Sequence, residues 1–353
     1  MNQQLHNGRF RIAATDKDIY DRVVAMETTQ RALAGGQIEL DRLDLGTTTL
    51  TPQVLNDYDG LLAGGPHLTR ASIEGVERCA AIVRYGAGFD RIDLDACTDA
   101  DIMLVTTPAG IRRPLATSAL TLILALATRL LPKRRFVYHR QWKLGQSSEH
   151  AGAGLTGKTI GYVGFGNVGS ELYALVQPFG MKHVVYDPYL SNEVLAQYDV
   201  ERVELEALMS RADFVVVLCL LTDETRHLIG ERQLRRMKPT AYITNVARGP
   251  IIDQAALTRA LAENQIAGAG LDVLETEPVE ADDPILKLDN VILTPHGMCI
   301  TDEMIAGCSQ QCIGAALEVM QGRVPDSVIN RAVLDRPKLK AKLDGYRSRF
   351  ASS

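Results

Sequence analysis

The sequence predicts an α/β fold with two doubly wound parallel-sheet domains, Rossmann-like or flavodoxin-like, and a cleft between them. The length of 353 residues is enough for two domains of ~150 residues each. The composition, 46% apolar and 23% charged, is typical of an ordinary globular protein. Short apolar runs alternate with helical patterns in two successive series, and such alternation is typical of parallel sheets covered by helices.

The first series lies before residue 114. It contains five apolar runs of strand length: RFRIAAT, QIELDRLDL, YDGLLAG, AAIVRYG and IMLVTT. Segments between them, such as residues 20–33, carry apolar or small residues at helical spacing. A long helix is predicted from about residue 114 to residue 131, with Pro114 in its first turn, where the missing N–H is tolerated.

The second series contains six nearly continuous apolar runs: KTIGYVG, HVVYD, ADFVVVLCL, AYITNV, IAGAGLDV and NVILTP. Such runs are typical of central strands that are buried on both faces. Helical patterns such as residues 253–264 lie between them, which predicts a six-stranded doubly wound domain. Another amphipathic helix, over residues 302–322, follows the sixth strand, so we expect it to cover the first domain.

The charge and the cysteine content argue against several classes of protein. The net charge is −5 at pH 7, whereas binding to a nucleic-acid backbone requires a basic surface. Residues 331–353 carry a charge of +5 and the rest of the chain −10, so positive charge is concentrated in a C-terminal tail. Six cysteines in so long a chain do not form the pattern of a disulfide framework.

The sequence shows neither a signal peptide nor a membrane span. The N-terminal MNQQLHNGRFRIAAT lacks an apolar core, which a signal peptide requires. The most apolar stretch, residues 115–131, is interrupted by threonine, serine and arginine and falls short of the ~20 apolar residues of a span. We therefore expect a cytoplasmic, reduced protein without a membrane partner.

A glycine-rich motif follows the first strand of the second series. Gly164, Gly166 and Gly169 form a GxGxxG pattern that opens a helix-compatible segment. The first glycine permits a tight turn, the second lets the backbone approach a pyrophosphate, and the third allows close packing of helix on strand. Asp187 ends the next strand, at about the spacing expected for a carboxylate that binds a ribose. Because that carboxylate would repel a 2′-phosphate, we predict NAD rather than NADP.

Three further polar residues lie at or just beyond the carboxyl ends of later strands, where ligands of such sheets bind. Arg248 follows AYITNV, Glu277 lies a few residues beyond IAGAGLDV, and His296 follows NVILTP. In the first series, residues 86–88 (GAG) likewise follow a strand. Guanidinium matches the planar carboxylate of a 2-keto acid, and imidazole is suited to proton transfer near neutral pH.

Four segments together resemble the D-isomer-specific 2-hydroxyacid dehydrogenases: residues 164–169 (GFGNVG), 245–249 (NVARG), 271–278 (LDVLETEP) and 294–296 (TPH). That family includes phosphoglycerate, glyoxylate/hydroxypyruvate and D-lactate dehydrogenases. The resemblance extends over about residues 55–330, with the motifs in the family order. It implies an NAD-dependent oxidoreductase that transfers a hydride between nicotinamide and a small D-2-hydroxy or 2-keto acid, which is glyoxylate-, hydroxypyruvate- or phosphoglycerate-like.

The resemblance also implies the domain organisation. A discontinuous catalytic domain would comprise residues 1–113 and 303–335, and residues 114–302 would form the inserted NAD-binding Rossmann domain. Residues 336–353 would remain as a basic C-terminal tail. The family further implies a homodimer held largely through the dinucleotide domains, to which residues 114–131 and the segment around Trp142 contribute.

The resemblance assigns chemical roles to individual residues. His296 would be the general acid that protonates the keto oxygen, and Glu277 would hydrogen-bond and orient its imidazole. Arg248 would hold the substrate carboxylate and polarise the carbonyl. Backbone N–H groups at Ala87 and Gly88 would bind the same carboxylate.

Cofactor binding is likewise implied residue by residue, and Asp272 would bind the nicotinamide carboxamide. The predicted cofactor-binding residues are Gly164, Phe165, Gly166, Asn167, Val168, Asp187, Cys219, Thr225, Val246, Ala247, Asp272 and Gly297. No metal is expected, because Cys308 and Cys312 fit an apolar helix face better than a zinc set with His296 and Cys299.

Other interpretations of the sequence stay open. An NAD(H)-sensing corepressor or scaffold without significant turnover could keep the same three polar residues, and a phosphite dehydrogenase could use the same fold. Formate enzymes of the family have glutamine at the position of Glu277. Residues 298–300 (MCI) are larger than is usual for the family, which leaves the substrate open. Arg112 and Arg113 either reach an anionic substrate or are solvated, and His67 either borders the substrate or is structural.

Overall fold

The structure, a computed structural model, describes residues 8–43, 45 and 50–350. It divides into two compact units, each built on one parallel sheet. The first unit contains the described residues up to Ile111 and from Thr301 onward, and the second unit is Arg112–Ile300. The chain therefore leaves the first unit once and returns to it.

The first unit has a five-stranded sheet built from the five predicted runs. Its strands are β1 (Phe10–Ala14), β2 (Ile38–Arg42), β3 (Gly60–Ala63), β4 (Ala81–Arg84) and β5 (Met103–Thr106). They lie in the order β2-β1-β3-β4-β5, which is the flavodoxin-like order. All residues of β3 and β5 are buried, which explains why these strands are continuous apolar runs in the sequence.

Five short helices connect these strands: α1 (Lys17–Val24), α2 (Glu27–Ala34), α3 (Pro52–Leu55), α4 (Arg70–Ile73) and α5 (Leu94–Asp99). The helical pattern over residues 20–33 belongs to two helices, because Met26 has an extended backbone and caps α2. Asp16 and Asp93 cap α1 and α5 by accepting backbone N–H bonds from Ile19 and Ala96. Such caps satisfy donors that a helix leaves unpaired.

The long helix α6 is Pro108–Ala127, so the predicted limits near residues 114 and 131 were wrong. Pro114 lies inside the helix, and Pro108 occupies the first turn instead. Arg129 has a left-handed backbone with φ of 54°, which ends this helix before the next begins. The apolar pattern continues across that break, which is why the sequence placed the end too late.

By length and composition α6 is long and apolar enough to cross a membrane, unlike the shorter stretch considered in the sequence. A core helix passes the same test. Ala116, Ala119, Leu122 and Ile123 are at most 1% exposed and belong to an apolar cluster of the second unit. This burial is typical of a core helix.

The second unit has a seven-stranded sheet, not the six-stranded sheet predicted. Its strands are β6 (Thr159–Val163), β7 (Lys182–Tyr186), β8 (Glu201–Arg202), β9 (Phe214–Val217), β10 (Tyr242–Asn245), β11 (Gly268–Leu271) and β12 (Val291–Leu293). The order is β12-β11-β10-β9-β6-β7-β8, the Rossmann order with β12 added. The strand missed is β8, an edge strand of two exposed residues that needs no apolar run.

The helices of this unit after α6 are α7 (Leu130–Tyr138), α8 (Trp142–Gly145), α9 (Asn167–Val176), α10 (Asn192–Leu195), α11 (Leu205–Arg211), α12 (Glu231–Leu234) and α13 (Gln254–Ala262). No residue of α7 or α8 is buried. Short 3₁₀ helices are Ser148–His150, Gln177–Phe179, Gly249–Ile251 and Pro284–Lys287. Because all strands are parallel, their carboxyl ends share one edge, where ligands of such sheets bind.

The chain then returns to the first unit with α14 (Asp302–Met320), a 3₁₀ helix (Arg331–Asp335) and α15 (Pro337–Phe350). The prediction of a separate basic tail was therefore wrong. The buried side chains of α15 are Leu339, Leu343, Tyr346 and Phe350. They pack in the same core as β1, and Lys342 donates to the carbonyl oxygen of Cys79 at 2.9 Å.

Candidate active site

The glycine-rich turn joins β6 to α9. Gly164 has φ of 90°, a conformation that favours glycine, and a Cβ there would lie 2.6 Å from the backbone nitrogen of Cys219. Gly166 caps α9, and a Cβ there would meet nothing within 4 Å. A Cβ on Gly169 would lie 3.1 Å from the carbonyl oxygen of Gly164. The turn is therefore tight, closely packed from behind and open in front.

This geometry suits the diphosphate of a dinucleotide. The first N–H groups of a helix have no intrahelical partner and carry partial positive charge, so they attract phosphate. Asn167 and Val168 are the first residues of α9, and the space in front of Gly166 lets an anion approach them. Phe165 is 1% exposed, so only its backbone can face a ligand.

Asp187 follows β7 beside this turn. One carboxylate oxygen accepts the N–H of Phe165 at 2.9 Å, and the other accepts the N–H of Tyr189 at 3.0 Å. Each oxygen keeps a further lone pair, which suits ribose hydroxyls. The Tyr189 hydroxyl donates to Glu224, so a second carboxylate lies within reach of the same loop. A 2′-phosphate would meet this negative charge, in agreement with the predicted preference for NAD.

Four further predicted cofactor residues lie on loops after β9 and β10: Cys219, Thr225, Val246 and Ala247. Burial raises the pKa of the Cys219 thiol to about 12, so this side chain is neutral beside the glycine turn. Thr225 Oγ1 donates to the carbonyl oxygen of Leu220 at 2.6 Å and folds its loop back on itself. Val246 is 3% exposed, so it and Ala247 can face a cofactor chiefly through their backbone.

Arg248 is braced by the asparagine that ends β10. Asn245 is 1% exposed, its Nδ2 donates to the carbonyl oxygen of Arg248 at 2.8 Å, and its Oδ1 accepts the N–H of Ala247 at 3.0 Å. Arg248 Nη1 also donates to the carbonyl oxygen of Ala247 at 2.8 Å. The guanidinium is thus carried by a buried hydrogen-bonded turn at the carboxyl edge of the sheet.

His296 and Glu277 form the predicted pair. His296 Nδ1 lies 2.7 Å from Glu277 Oε2, and Glu277 Oε1 accepts the N–H of Leu274 at 3.1 Å. Burial raises the pKa of Glu277, but the hydrogen bond and charge of His296, with the Leu274 N–H and the charge of Arg248, outweigh this and lower it. An ionised Glu277 keeps a proton on Nδ1 and leaves Nε2 to exchange a proton with a ligand.

The turn that carries His296 is held by Asp272. The Asp272 carboxylate is 1% exposed and accepts the Thr294 hydroxyl at 2.6 Å, the Gly297 N–H at 3.0 Å and the Met298 N–H at 3.2 Å. His296 itself has φ of 50°, a strained conformation of the kind found at functional sites. Asp272 therefore fixes the turn that carries His296, and its predicted contact with the nicotinamide carboxamide stays a prediction.

The three enlarged side chains after His296 differ in exposure. Met298 packs against an apolar cluster of the unit, and Cys299 is 8% exposed. Ile300 is 50% exposed, so it is the departure from the family pattern that a ligand could meet.

In the first unit, Ala87 and Gly88 follow β4. Gly86 has φ of 119° and its N–H donates to Thr107 Oγ1 at 2.7 Å, while Arg84 Nε donates to the carbonyl oxygen of Gly88 at 3.0 Å. Within the described chain, the N–H groups of Ala87 and Gly88 have no protein acceptor. No protein acceptor therefore stands in the way of the predicted binding of an anion, which stays a prediction.

The weaker candidates have other surroundings. Arg112 and Arg113 contact the two oxygens of Glu171 at 2.7 Å and 2.8 Å, and their side chains stay 44% and 48% exposed, so they are solvated residues that also brace α9. His67 is exposed. Among the residues that the structure describes, no group of three or more His, Cys, Asp or Glu side chains could hold a metal. Sequence reasoning missed Glu171 because nothing near it in sequence marks it as a partner of these arginines.

Comparison with known proteins identifies the family. The family model described as "D-isomer specific 2-hydroxyacid dehydrogenase, NAD binding domain" matches residues 120–297. A glyoxylate reductase of Korarchaeum cryptofilum is 36% identical over 262 residues, which are 74% of this chain and 79% of that protein. The chain belongs to the D-isomer-specific 2-hydroxyacid dehydrogenases.

Two further D-isomer-specific 2-hydroxyacid dehydrogenase relatives show the breadth of the likeness. A D-3-phosphoglycerate dehydrogenase of Methanocaldococcus jannaschii is 36% identical over 294 residues, covering 83% of this chain and 55% of that protein. The NAD-complexed D-isomer specific 2-hydroxyacid dehydrogenase from Lactobacillus delbrueckii ssp. bulgaricus has the same fold, with a TM-score of 0.73 at 23% identity over 90% of this chain and 99% of that one.

As a D-isomer-specific 2-hydroxyacid dehydrogenase, the protein is an NAD-dependent oxidoreductase that transfers a hydride between nicotinamide and a 2-hydroxy or 2-keto acid. The predictions of family, fold class, enzyme class and cofactor from the sequence are confirmed.

Proposed function

We propose that this dehydrogenase reduces a small, unphosphorylated 2-keto acid of the glyoxylate or hydroxypyruvate type, and that Arg248, Glu277 and His296 carry the reaction. The observation that carries the proposal is the 2.7 Å contact between His296 Nδ1 and Glu277 Oε2. The charge of Arg248 also contributes to lowering the pKa of Glu277. Reduction of a keto acid needs an anion clamp and one proton donor, and these three side chains supply both.

NAD would be held by the glycine turn, by the first N–H groups of α9 and by the Asp187 carboxylate. When bound, it supplies the hydride that reduces the substrate carbon, or accepts it in the reverse direction. The open space in front of Gly166 and the fixed carboxylate of Asp187 support this assignment.

His296 would donate the proton from Nε2 to the keto oxygen. Glu277 keeps the Nδ1 proton in place and offsets the positive charge of the imidazolium, which favours the acid form before transfer. In the reverse direction the neutral ring would take the hydroxyl proton through the same nitrogen. Arg248 would bind the substrate carboxylate through two parallel hydrogen bonds, the geometry that guanidinium offers. The N–H groups of Ala87 and Gly88 in the first unit stay predicted donors to an anion.

The choice of an unphosphorylated substrate rests on the two arginines that the sequence offered as possible partners of an anionic substrate. A phosphate on the substrate would need a positive partner of its own, whereas Arg112 and Arg113 are already paired with Glu171. Ile300 is 50% exposed after the His296 turn and adds apolar surface there. Both observations favour a small substrate over a phosphoglycerate-like one.

A substrate screen tests the proposal. Purified protein with NADH is followed by nicotinamide absorbance against glyoxylate, hydroxypyruvate, hydroxypyruvate phosphate, pyruvate, 2-ketoglutarate and larger sugar-derived keto acids. We expect the highest kcat/KM with glyoxylate or hydroxypyruvate. Tight NADH binding without any turnover would favour the sensing corepressor or scaffold instead. Turnover with phosphite alone would favour a phosphite dehydrogenase on the same fold.

We also propose that the protein is a homodimer that associates through the face formed by α7 and α8. Four apolar side chains of this segment are more than half exposed: Leu130, Val137, Tyr138 and Trp142. A concentration of exposed apolar side chains in one segment is typical of an association surface. A cavity of about 540 Å³, lined in part by Leu131, Pro132 and Phe136, lies in the same region. A second copy of the chain is the partner that we propose.

A cytoplasmic location is part of the same proposal. None of the six cysteines, all of which the structure describes, forms a disulfide, and five of them are buried. Such usage is typical of proteins of reducing compartments. Fractionation of the native host would test it.

A further inference from the structure

The second unit contains another histidine–glutamate pair besides the predicted one. His227 Nε2 lies 2.6 Å from Glu275 Oε1, and Glu275 is two positions before Glu277 in the chain. The two side chains are 46% and 32% exposed. Their partner atoms come from loops far apart in the sequence, so this pair was not apparent from any motif.

The second oxygen of Glu275 reaches a helix. Glu275 Oε2 accepts the backbone N–H of Gln254 at 3.2 Å, and the Gln254 side chain returns the contact, because its Oε1 accepts the N–H of Glu275 at 2.8 Å. Gln254 is the first residue of α13, where backbone N–H groups lack intrahelical partners and favour a carboxylate. Glu275 therefore links α13 to the loop that carries His227.

The segment that follows Arg248 lies directly against the backbone of Glu275. A Cβ on Gly249 would lie 2.0 Å from the carbonyl carbon of Leu274 and 2.4 Å from the nitrogen of Glu275. The same segment also contacts the loop of His227, since the His227 N–H donates to the carbonyl oxygen of Pro250 at 2.8 Å. Three loops thus meet with no room for an additional side chain.

Both functional loops depend on this junction. The Leu274 N–H donates to Glu277 Oε1 at 3.1 Å, so a shift of Leu274 moves the carboxylate that orients His296. Arg248 precedes Gly249 directly, so the same shift moves the guanidinium. A fixed Leu274–Glu275 backbone therefore holds Arg248 and Glu277 in a fixed position relative to each other.

We propose that Glu275 and His227 are positioning residues, a clamp that holds the Arg248 loop against the Glu277 loop. This role requires no contact of either side chain with substrate or cofactor. The proposal rests on the proposed function, in which Arg248 and Glu277 must act together on one substrate. A misplacement of about 1 Å costs up to roughly a hundredfold in rate. Because both clamp side chains are partly solvated, we expect about a tenfold effect.

Paired variants test the clamp. Glu275→Ala should lower kcat/KM for the keto acid about tenfold, with a higher KM and a lower kcat, while the NADH dissociation constant stays unchanged. Glu275→Gln should keep most of the activity, because its oxygen can accept the Gln254 N–H and its amide can hydrogen-bond His227 Nε2. His227→Ala should resemble Glu275→Ala, and the double variant should be no worse than Glu275→Ala alone. Glu280→Ala, which removes an exposed carboxylate farther along the same loop, is the matched control.

Amide hydrogen exchange gives a readout that does not depend on turnover. In Glu275→Ala, peptides covering residues 248–254 and 272–278 should exchange faster than in wild type, and those of the glycine turn should not. The clamp is overturned if Glu275→Ala and His227→Ala match Glu280→Ala in both rate and exchange, or if Glu275→Gln is as damaged as Glu275→Ala. A wild-type protein that reduces no keto acid would contradict the proposed function, and the exchange result would still decide the clamp.

Discussion

Replacing Glu277 with glutamine should lower the pH above which the enzyme stops reducing its keto acid. In the proposed reaction the imidazolium of His296 is the proton donor, and this form disappears as the pH rises. Burial raises the pKa of Glu277, and the contact with His296 outweighs that effect and lowers it. The interaction is reciprocal, so the ionised carboxylate stabilises the imidazolium. Glutamine keeps the shape and an acceptor oxygen but not the charge, so keto-acid reduction should fail at a lower pH.

The size of this shift follows from the distance and the exposure. At 2.7 Å the contact is a charge-assisted hydrogen bond, a class that contributes about 1.5–3 kcal/mol. Glu277 is 27% and His296 40% exposed, so water screens part of the charge, and glutamine keeps the neutral part of the bond. One pH unit corresponds to about 1.4 kcal/mol. We therefore expect the midpoint to move down by about one pH unit.

The assay is kcat/KM for keto-acid reduction measured across the pH range at saturating NADH. Wild type, Glu277→Gln and the control Glu280→Gln are compared, and the control should keep the wild-type midpoint. A Glu277→Gln midpoint equal to that of wild type would refute the pairing. Loss of rate at every pH without a moved midpoint would also refute it, because Glu277 would then act on geometry alone.

Three other predictions concern the cofactor, the pH dependence of stability and the assembly. Asp187→Ala removes the carboxylate that accepts the N–H of Phe165 and that would bind the ribose. Steady-state kinetics should therefore show about a tenfold higher KM for NADH and a smaller preference for NADH over NADPH. Burial lowers the pKa of His183, so its contribution to stability is present above the ordinary histidine value of about 6.5 and is lost as the pH falls below it. His183→Gln, which still offers Tyr162 a partner, should flatten the fall of Tm in acid, and an equally steep fall would contradict this account. Trp142→Glu should convert the proposed dimer to a monomer by light scattering without unfolding it, and an unchanged mass would exclude this face.

Much of the fold was predictable because its strands are buried on both faces. β5 and β9 are wholly buried, so each is an uninterrupted apolar run that the sequence shows directly. β8 has two exposed residues and carries no such signal. The start of α6 was misplaced because Pro114 suggests a helix start, although a proline can lie within a helix whose ends are held by tertiary packing.

The sequence of the predicted basic tail contains the apolar periodicity of a packed helix, together with a high positive charge. Leu339, Leu343, Tyr346 and Phe350 recur at helical spacing and form the buried face of α15. The positive charges lie on the other faces of this helix, and the tail was predicted from these charges. Periodicity of apolar residues decides whether such a segment packs, whereas its net charge does not.

The site residues that follow the end of a strand were predictable from the sequence. Arg248 and His296 follow β10 and β12, and parallel strands bring those ends to one edge. The partners that hold them were not predictable, since Asn245, Asp272 and Glu275 act through contacts that depend on the folded loops.

The most direct test of the account is NADH oxidation by a 2-keto acid in wild type and in His296→Asn, with NADH binding measured on both proteins by fluorescence. The account predicts turnover of glyoxylate or hydroxypyruvate by wild type, and a loss of kcat of about 10²- to 10⁴-fold in the variant with an unchanged NADH dissociation constant. A variant that keeps the wild-type rate, or a wild-type protein that binds NADH tightly and reduces no 2-keto acid, would contradict it.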